Sequence, residues 1–119
     1  MTQPKPDYRR GDVILVLYPD SNLQSAKTRP ALIVQADDLG TGLSQVIIAM
    51  VTSRLMRANH PCRVAVFLTT PEGQQSGLLT DSVIMTDNLA TITNSAIFRV
   101  IGSLPMSKVD KALSYTLGL

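Results

Sequence analysis

Apolar positions in this chain come in short runs, each about the length of a strand, separated by clusters of turn-forming residues. The first run, Asp12-Val13-Ile14-Leu15-Val16-Leu17-Tyr18, follows Gly11 and stops at Pro19-Asp20-Ser21-Asn22. Leu23 to Lys27 reads as a loop. Ala31 to Val34 is too short for a helix and rich in branched side chains, which predicts a buried strand. Pro30 at its first position has no ladder hydrogen bond to lose, and it pushes Arg29 into extended backbone. Asp37-Asp38-Leu39-Gly40-Thr41-Gly42 predicts a turn, and Val46 to Val51 a third strand that closes in Thr52-Ser53-Arg54. Asn59-His60-Pro61 breaks the chain before Arg63-Val64-Ala65-Val66-Phe67-Leu68, a strand apolar on both faces. Pro71 to Gly77 reads as a turn-rich linker. Asp81 to Asn88 begins the next strand, with Thr91-Ile92 beyond it, and Ile97 to Ile101 forms the last.

Helical spacing comes only at the end. Pro105 suits a first turn, Val109, Ala112, Leu113 and Thr116 or Leu117 share a face, and Gly118 ends the helix. Lys108 and Lys111 point to solvent. Turn signals recurring every ten to fifteen residues or so between short strands are the spacing of a small sandwich or barrel. The chain is therefore expected to be mainly β, with a C-terminal α-helix.

Composition narrows the classes. The 119 residues suit one domain, read here as residues 10–119 behind a loose polar and proline-rich arm at 1–9. Apolar residues at 45% against 17% charged exclude a disordered chain. The single Cys62 forms no internal disulfide. With His60 the only histidine, a zinc site and a His-paired serine triad are both disfavoured, so no metal or cofactor is expected. No apolar run approaches the ~20 residues of a membrane span, and the start lacks a signal-peptide core, which points to a cytoplasmic protein. A net charge of +2 identifies no nucleic-acid binder by itself, so that case rests on clustering.

The cations do cluster. Arg29 stands at the mouth of a core strand, where a guanidinium can hold a phosphate or carboxylate with both arms of its fork. Thr52 and Ser53 close the following strand, and consecutive strands are often neighbours. If these two pair, a guanidinium and hydroxyls meet at one rim. Lys27 precedes Arg29, and Arg54, Arg57, His60 and Arg63 follow in one short polar segment. A basic rim of this kind attracts a polyanion even at small net charge. The plain alternative is a strand-edge arginine paired with a carboxylate, and loops of scattered solvated charge. Asp87, set among apolar residues, needs a partner. It is open as a structural acceptor or as a proton acceptor in a cleft. Cys62 is expected to pack, and Met50, Met56, Met85 and Met106 to fill core or interface.

Several of these stretches resemble the PemK/MazF/Kid toxins of bacterial toxin–antitoxin pairs. Arg10-Gly11-Asp12-Val13 is similar to their first-strand opening, Thr28-Arg29-Pro30-Ala31-Leu32-Ile33-Val34 to their R-P strand, and Val51-Thr52-Ser53 to their T-S strand end. Gly77 to Ile92, with Asp81-Ser82-Val83-Ile84 and Asp87-Asn88, resembles their D-S-V block, and Ile101-Gly102-Ser103-Leu104 with the final helix resembles their ending. Order and spacing agree from Arg10 to Leu117.

The resemblance implies a partly open SH3-like β-barrel with a C-terminal helix, acting as a cytoplasmic homodimer. It implies metal-independent cleavage of single-stranded RNA, often mRNA, with growth inhibition as the result. The ribose 2′-hydroxyl attacks phosphorus, Arg29 and Thr52 serve the phosphate, and Asp87 matches an acid that some members use as base. Lys27, Ser53, Arg54, Arg57 and His60 would contact RNA. A cognate antitoxin would lay an acidic segment across the basic rim, and that complex would bind DNA. The first loop departs from the family pattern. Met85 and Ala90 also stand where members carry arginines. A toxin-fold protein that binds RNA or an antitoxin-like partner without cleaving is thus the alternative. Inhibition of a protein target such as gyrase is a third reading, and no Trp-Gly-like signal on the final helix supports it.

Overall fold

The period-two strands assemble into one antiparallel sheet. The computed structural model describes residues 7–19 and 26–119. Six strands, β1 (Asp12–Pro19), β2 (Ala26–Ile33), β3 (Gln45–Thr52), β4 (Arg63–Val66), β5 (Ser82–Thr93) and β6 (Ile97–Ser103), lie in the order β4-β5-β3-β2-β1-β6. Every neighbouring pair is antiparallel. The sheet curls into a partly open barrel whose edges, β4 and β6, do not pair. Two helices, α1 (Pro71–Ser76) and α2 (Ser107–Leu117), complete it with short 3-10 turns at Leu55–Ala58 and Asn94–Ala96.

Alternation sorts the apolar residues onto two faces. Val13, Leu32, Val34, Ala49, Val51, Val66 and Ile84 form one core with Leu104 and Val109, and α2 covers it with Val109 and Ala112 buried. Ile14, Val16, Ala31, Ile33, Val46 and Ile48 form the second core on the opposite face. The end of β2, Ala31–Ile33, and most of β3 are thus buried on both sides, the reason these stretches read as unbroken apolar runs. Tyr8 packs against the second core and donates its hydroxyl to Asn94 Oδ1 at 2.8 Å, so the fold engages the chain from within the expected arm. Met1–Pro6, most of the turn expected at 19–22 and residues 23–25 of the expected loop lie outside the described residues, while Ala26 and Lys27, expected in that loop, open β2.

Four expectations are corrected. Pro71–Ser76 is a helix, not a linker: Thr70 Oγ1 caps it by accepting from the Gly73 N–H at 3.1 Å, Pro71 fills the first turn, and Gly77 ends it at φ 72°. Pro105 precedes α2 rather than opening it, and Leu117 is exposed. Met56, expected as filler, is 86% exposed.

The fourth difference sets the site: Pro30 is the fifth residue of β2, not its first. The Val34 N–H bonds to the Ile47 carbonyl, so by antiparallel alternation Leu32 and residue 30 also face β3. Residue 30 is a proline with no N–H to give. The β2–β3 ladder runs only through Ala31, Leu32 and Ile33, while β2 continues beside β1 to Ala26. This leaves a wedge in the ladder, an unpaired stretch between the start of β2 and the end of β3.

At the seam between α1 and β6, Gly77 and Gly102 bring two backbones together. A Cβ on Gly77 would lie 2.0 Å from the Ile101 carbonyl oxygen, and one on Gly102 2.4 Å from the Gln75 oxygen. Urea denaturation is therefore expected to show Gly77→Ala destabilised by more than about 2 kcal/mol. Thr70→Ala, which loses only the cap, should lose about 1 kcal/mol. Equal effects would mean that α1 is not docked by this glycine contact.

Candidate functional site

Extending the β2–β3 register two residues past Ala31 and Met50 sets Arg29 opposite Thr52, across the wedge. Both share the parity of Ala31 and Met50, so both belong to the face without α2. Arg29 and Lys27 are exposed, and Thr52 is partly buried. Among the described residues no hydrogen bond or ion pair engages the Arg29 guanidinium, which leaves its five donors for a ligand. The plain alternative, a carboxylate partner, has no support among those residues. Thr52 Oγ1 accepts from the Arg54 N–H at 3.2 Å, which fixes the hydroxyl and leaves its own proton to donate. Ser53 and Arg54 are exposed at the same strand end.

The adjoining part of this face is built around an irregularity in β5. Ala49 pairs with Leu89, but the next residue, Met50, pairs with Met85. Thr86, Asp87 and Asn88 are therefore extra residues thrown out of the ladder as a bulge. Thr86, fully buried, holds the bulge inward. Its N–H and Oγ1 both donate to the Cys62 carbonyl at 3.1 and 2.6 Å, and Oγ1 meets Thr116 Oγ1 of α2 at 2.7 Å. Asp87 is thereby turned outward to Arg63, which stands beside Met85 in the β4–β5 ladder.

Arg63 Nε and Nη2 donate to the two Asp87 oxygens at 2.8 and 2.7 Å, and Nη1 donates to the Arg57 carbonyl at 2.9 Å. The guanidinium hydrogen bonds hold the Asp87 carboxyl below the usual aspartate range, and Asp87 in turn raises Arg63. A carboxylate occupied on both oxygens and held as the anion is a weak proton acceptor. Arg57 is exposed, with Nη1 3.8 Å from Met85 Sδ. His60 accepts from the Cys62 N–H through Nδ1 at 3.1 Å and meets the Tyr115 ring edge-on at 5.8 Å. That bond uses Nδ1 as an acceptor and leaves Nε2 as the ring's donor.

The fold thus brings Lys27, Arg29, Thr52, Ser53 and Arg54 to one rim, with Arg57 and Asp87 on the β4 side, while His60 turns to Tyr115 of α2. Asp81, the other carboxylate nearby, accepts from the Leu68 N–H at 2.8 Å. Arg63 was not singled out as a site residue from the sequence. Its parity along β4 is readable, but its partner depends on a ladder register displaced by the bulge.

Comparison with known proteins agrees with this architecture. Residues 9–116 match the family described as PemK-like, MazF-like toxins of type II toxin–antitoxin systems. Among solved structures the chain is similar to an endoribonuclease from a mycobacterial species, at 24% identity and TM-score 0.71, covering 98% of this chain and 97% of that one. It is also similar to a mycobacterial endoribonuclease in complex with its cognate antitoxin, at 24% identity and TM-score 0.72, covering 94% and 96%. A MazE–MazF structure from Deinococcus radiodurans matches at 18% identity and TM-score 0.70, covering 95% and 99%. Likeness at these identities establishes the fold. The family match over nearly the whole length goes further: the chain belongs to the PemK-like, MazF-like toxins of type II toxin–antitoxin systems.

Proposed function

We propose that the protein is an endoribonuclease toxin that cleaves single-stranded RNA at the rim formed by Arg29 and Thr52. The observation that carries this reading is the unengaged guanidinium of Arg29, set by register opposite Thr52 where Pro30 ends the β2–β3 ladder. In the reaction the ribose 2′-oxygen attacks the adjacent phosphorus and loses its proton. The bond from phosphorus to the 5′-oxygen breaks, and that oxygen takes up a proton. The products are a cyclic phosphate and a 5′-hydroxyl. Negative charge grows on the non-bridging oxygens of the phosphorane, and a guanidinium fork with a hydroxyl donor stabilises it where it grows. Named solved neighbours that are endoribonucleases support the same reading.

Asp87 is assigned a structural role here, as the anchor of Arg63. The alternative for such a carboxylate, general base, asks for a pKa near the working pH. The hydrogen bonds from Arg63 move the Asp87 carboxyl the other way, below the usual aspartate range. The cations of the rim, Lys27, Arg29, Arg54 and Arg57, also suit an acidic segment of a cognate antitoxin, which would occlude the RNA path. The protein acts as a homodimer in the cytoplasm, and among the described residues no helix is long and apolar enough to cross a membrane.

Purified protein incubated with mixed-sequence RNA in EDTA is expected to leave cyclic-phosphate ends. Arg29→Ala should lower cleavage by about 100-fold or more, the scale of losing one donor to a developing oxyanion. Intact RNA at high wild-type concentration would leave only a binding protein. Asp87→Asn is expected to change the cleavage rate of bound RNA far less than the 100-fold or so that loss of a general base brings.

The same ion pair predicts a pH dependence. Because Arg63 lowers the folded-state pKa of Asp87, its stabilisation is fully present above the ordinary aspartate value of about 3.9. It is lost as pH falls through the lower folded value. The gap in urea midpoint between wild type and Asp87→Asn should therefore hold at neutral pH and close in acid. That gap is small, since the Asp87 side chain is 39% exposed. A gap that widened on acidification would contradict the pairing.

A further inference from the structure

Arg57 is a cation of this face with no carboxylate of its own among the described residues. It belongs to the 3-10 turn Leu55–Ala58, between the end of β3 and the start of β4. Its Nη1 rests against the Met85 sulfur, a weak acceptor, so the donor capacity of the guanidinium is largely free. The turn is held from beneath. Arg63 donates to the Arg57 carbonyl with one nitrogen while two others grip Asp87. Arg63 and Asp87 neutralise each other, and the charge this assembly presents to solvent is that of Arg57.

Its position relative to the rim follows from the ladder. Met85 lies beside Met50 of β3 and Arg63 of β4, on the face that carries Arg29 and Thr52. β5 is two strand spacings, about 10 Å, from β2. An extended nucleic-acid backbone with one phosphate at Arg29 and Thr52, continuing toward β4, passes over Met85 and meets Arg57. We propose that Arg57 binds a second backbone phosphate of the same RNA, and that Arg63 with Asp87 is the positioning pair that holds Arg57 for it. This rests on the RNA reading of the Arg29–Thr52 rim.

The probe is a mixed-sequence 2′-O-methyl oligoribonucleotide, which lacks the attacking hydroxyl and is bound without being cut. Affinity is measured by fluorescence anisotropy across a salt series. Arg57→Ala is expected to weaken binding about tenfold at low salt. It should also lower the slope of log affinity against log salt by about 0.7, the value for one phosphate contact on a single strand. Arg57→Lys keeps the slope. The charge-neutral double variant Arg63→Gln with Asp87→Asn should weaken binding to a similar extent, and adding Arg57→Ala to it should cost little more.

Unchanged affinity and slope in Arg57→Ala would overturn the contact. A full additional loss in the triple variant would overturn the positioning. If the double variant fails a thermal-melt check, Arg63→Lys replaces it, since lysine keeps the charge and cannot fork. Absence of binding by wild type would sink the rim reading itself, whereas binding that ignores Arg57 removes only this inference.

Discussion

The missing N–H of Pro30 is the constraint on which the working face depends. An antiparallel ladder closes by alternation, and position 30 is where β2 should next donate to β3. With nothing to donate, the pairing stops after Ala31, although β2 itself runs on beside β1 as far as Ala26. Zipped strands would set Arg29 and Thr52 as one more cross-strand pair on a continuous surface. Here the ladder stops short of them, and the two residues stand at its open end. β1 still holds the β2 lip, with Val16 paired to Arg29, so the opening is anchored rather than loose.

A second interruption shapes the other side of the same face. Three residues are inserted in β5, and the burial of Thr86 decides which way the insertion turns. One threonine hydroxyl joins the β4 approach at Cys62 to the last turn of α2 at Thr116. Asp87, the next residue, is thereby presented to Arg63. The stabilising core under α2 and the chemistry on the opposite face are linked through this bulge. A change in the packing of the C-terminal turn would reach Asp87 through two hydrogen bonds.

Much of this was legible from residues alone. The strands, the final helix and its Gly118 stop follow from period-two and helical spacing, because burial on two faces leaves a strong local signature. Juxtaposing Arg29 with Thr52 required only that consecutive strands pair. α1 was readable too: Thr70, Pro71 and Gly77 are a cap, a first-turn proline and a left-handed stop, and the density of turn formers concealed them. What local sequence does not encode is register. Pro30 looked like a strand start because the residues before it are polar, yet polarity there reflects an exposed strand half and not a loop. The Arg63–Asp87 pair was out of reach for the same reason, since it depends on a displaced ladder between strands separated by a helix.

Charge placement explains why so small a net charge can still serve a polyanion. The chain carries +2 overall, but its carboxylates near this face are already committed: Asp87 to Arg63, and Asp81 to the Leu68 N–H. The cations left over, Lys27, Arg29, Arg54 and Arg57, repel one another across the open face, a modest cost in high dielectric. A phosphate backbone or an acidic peptide relieves that repulsion on binding through charge-assisted bonds. Arg63 differs from its neighbours in being neutralised in advance. Its hydrogen bond holds the backbone of Arg57 while the pair adds no net charge. Arginine suits that task because one planar group reaches a carboxylate and a carbonyl at once, which a lysine ammonium on its flexible stem does not do with the same geometry.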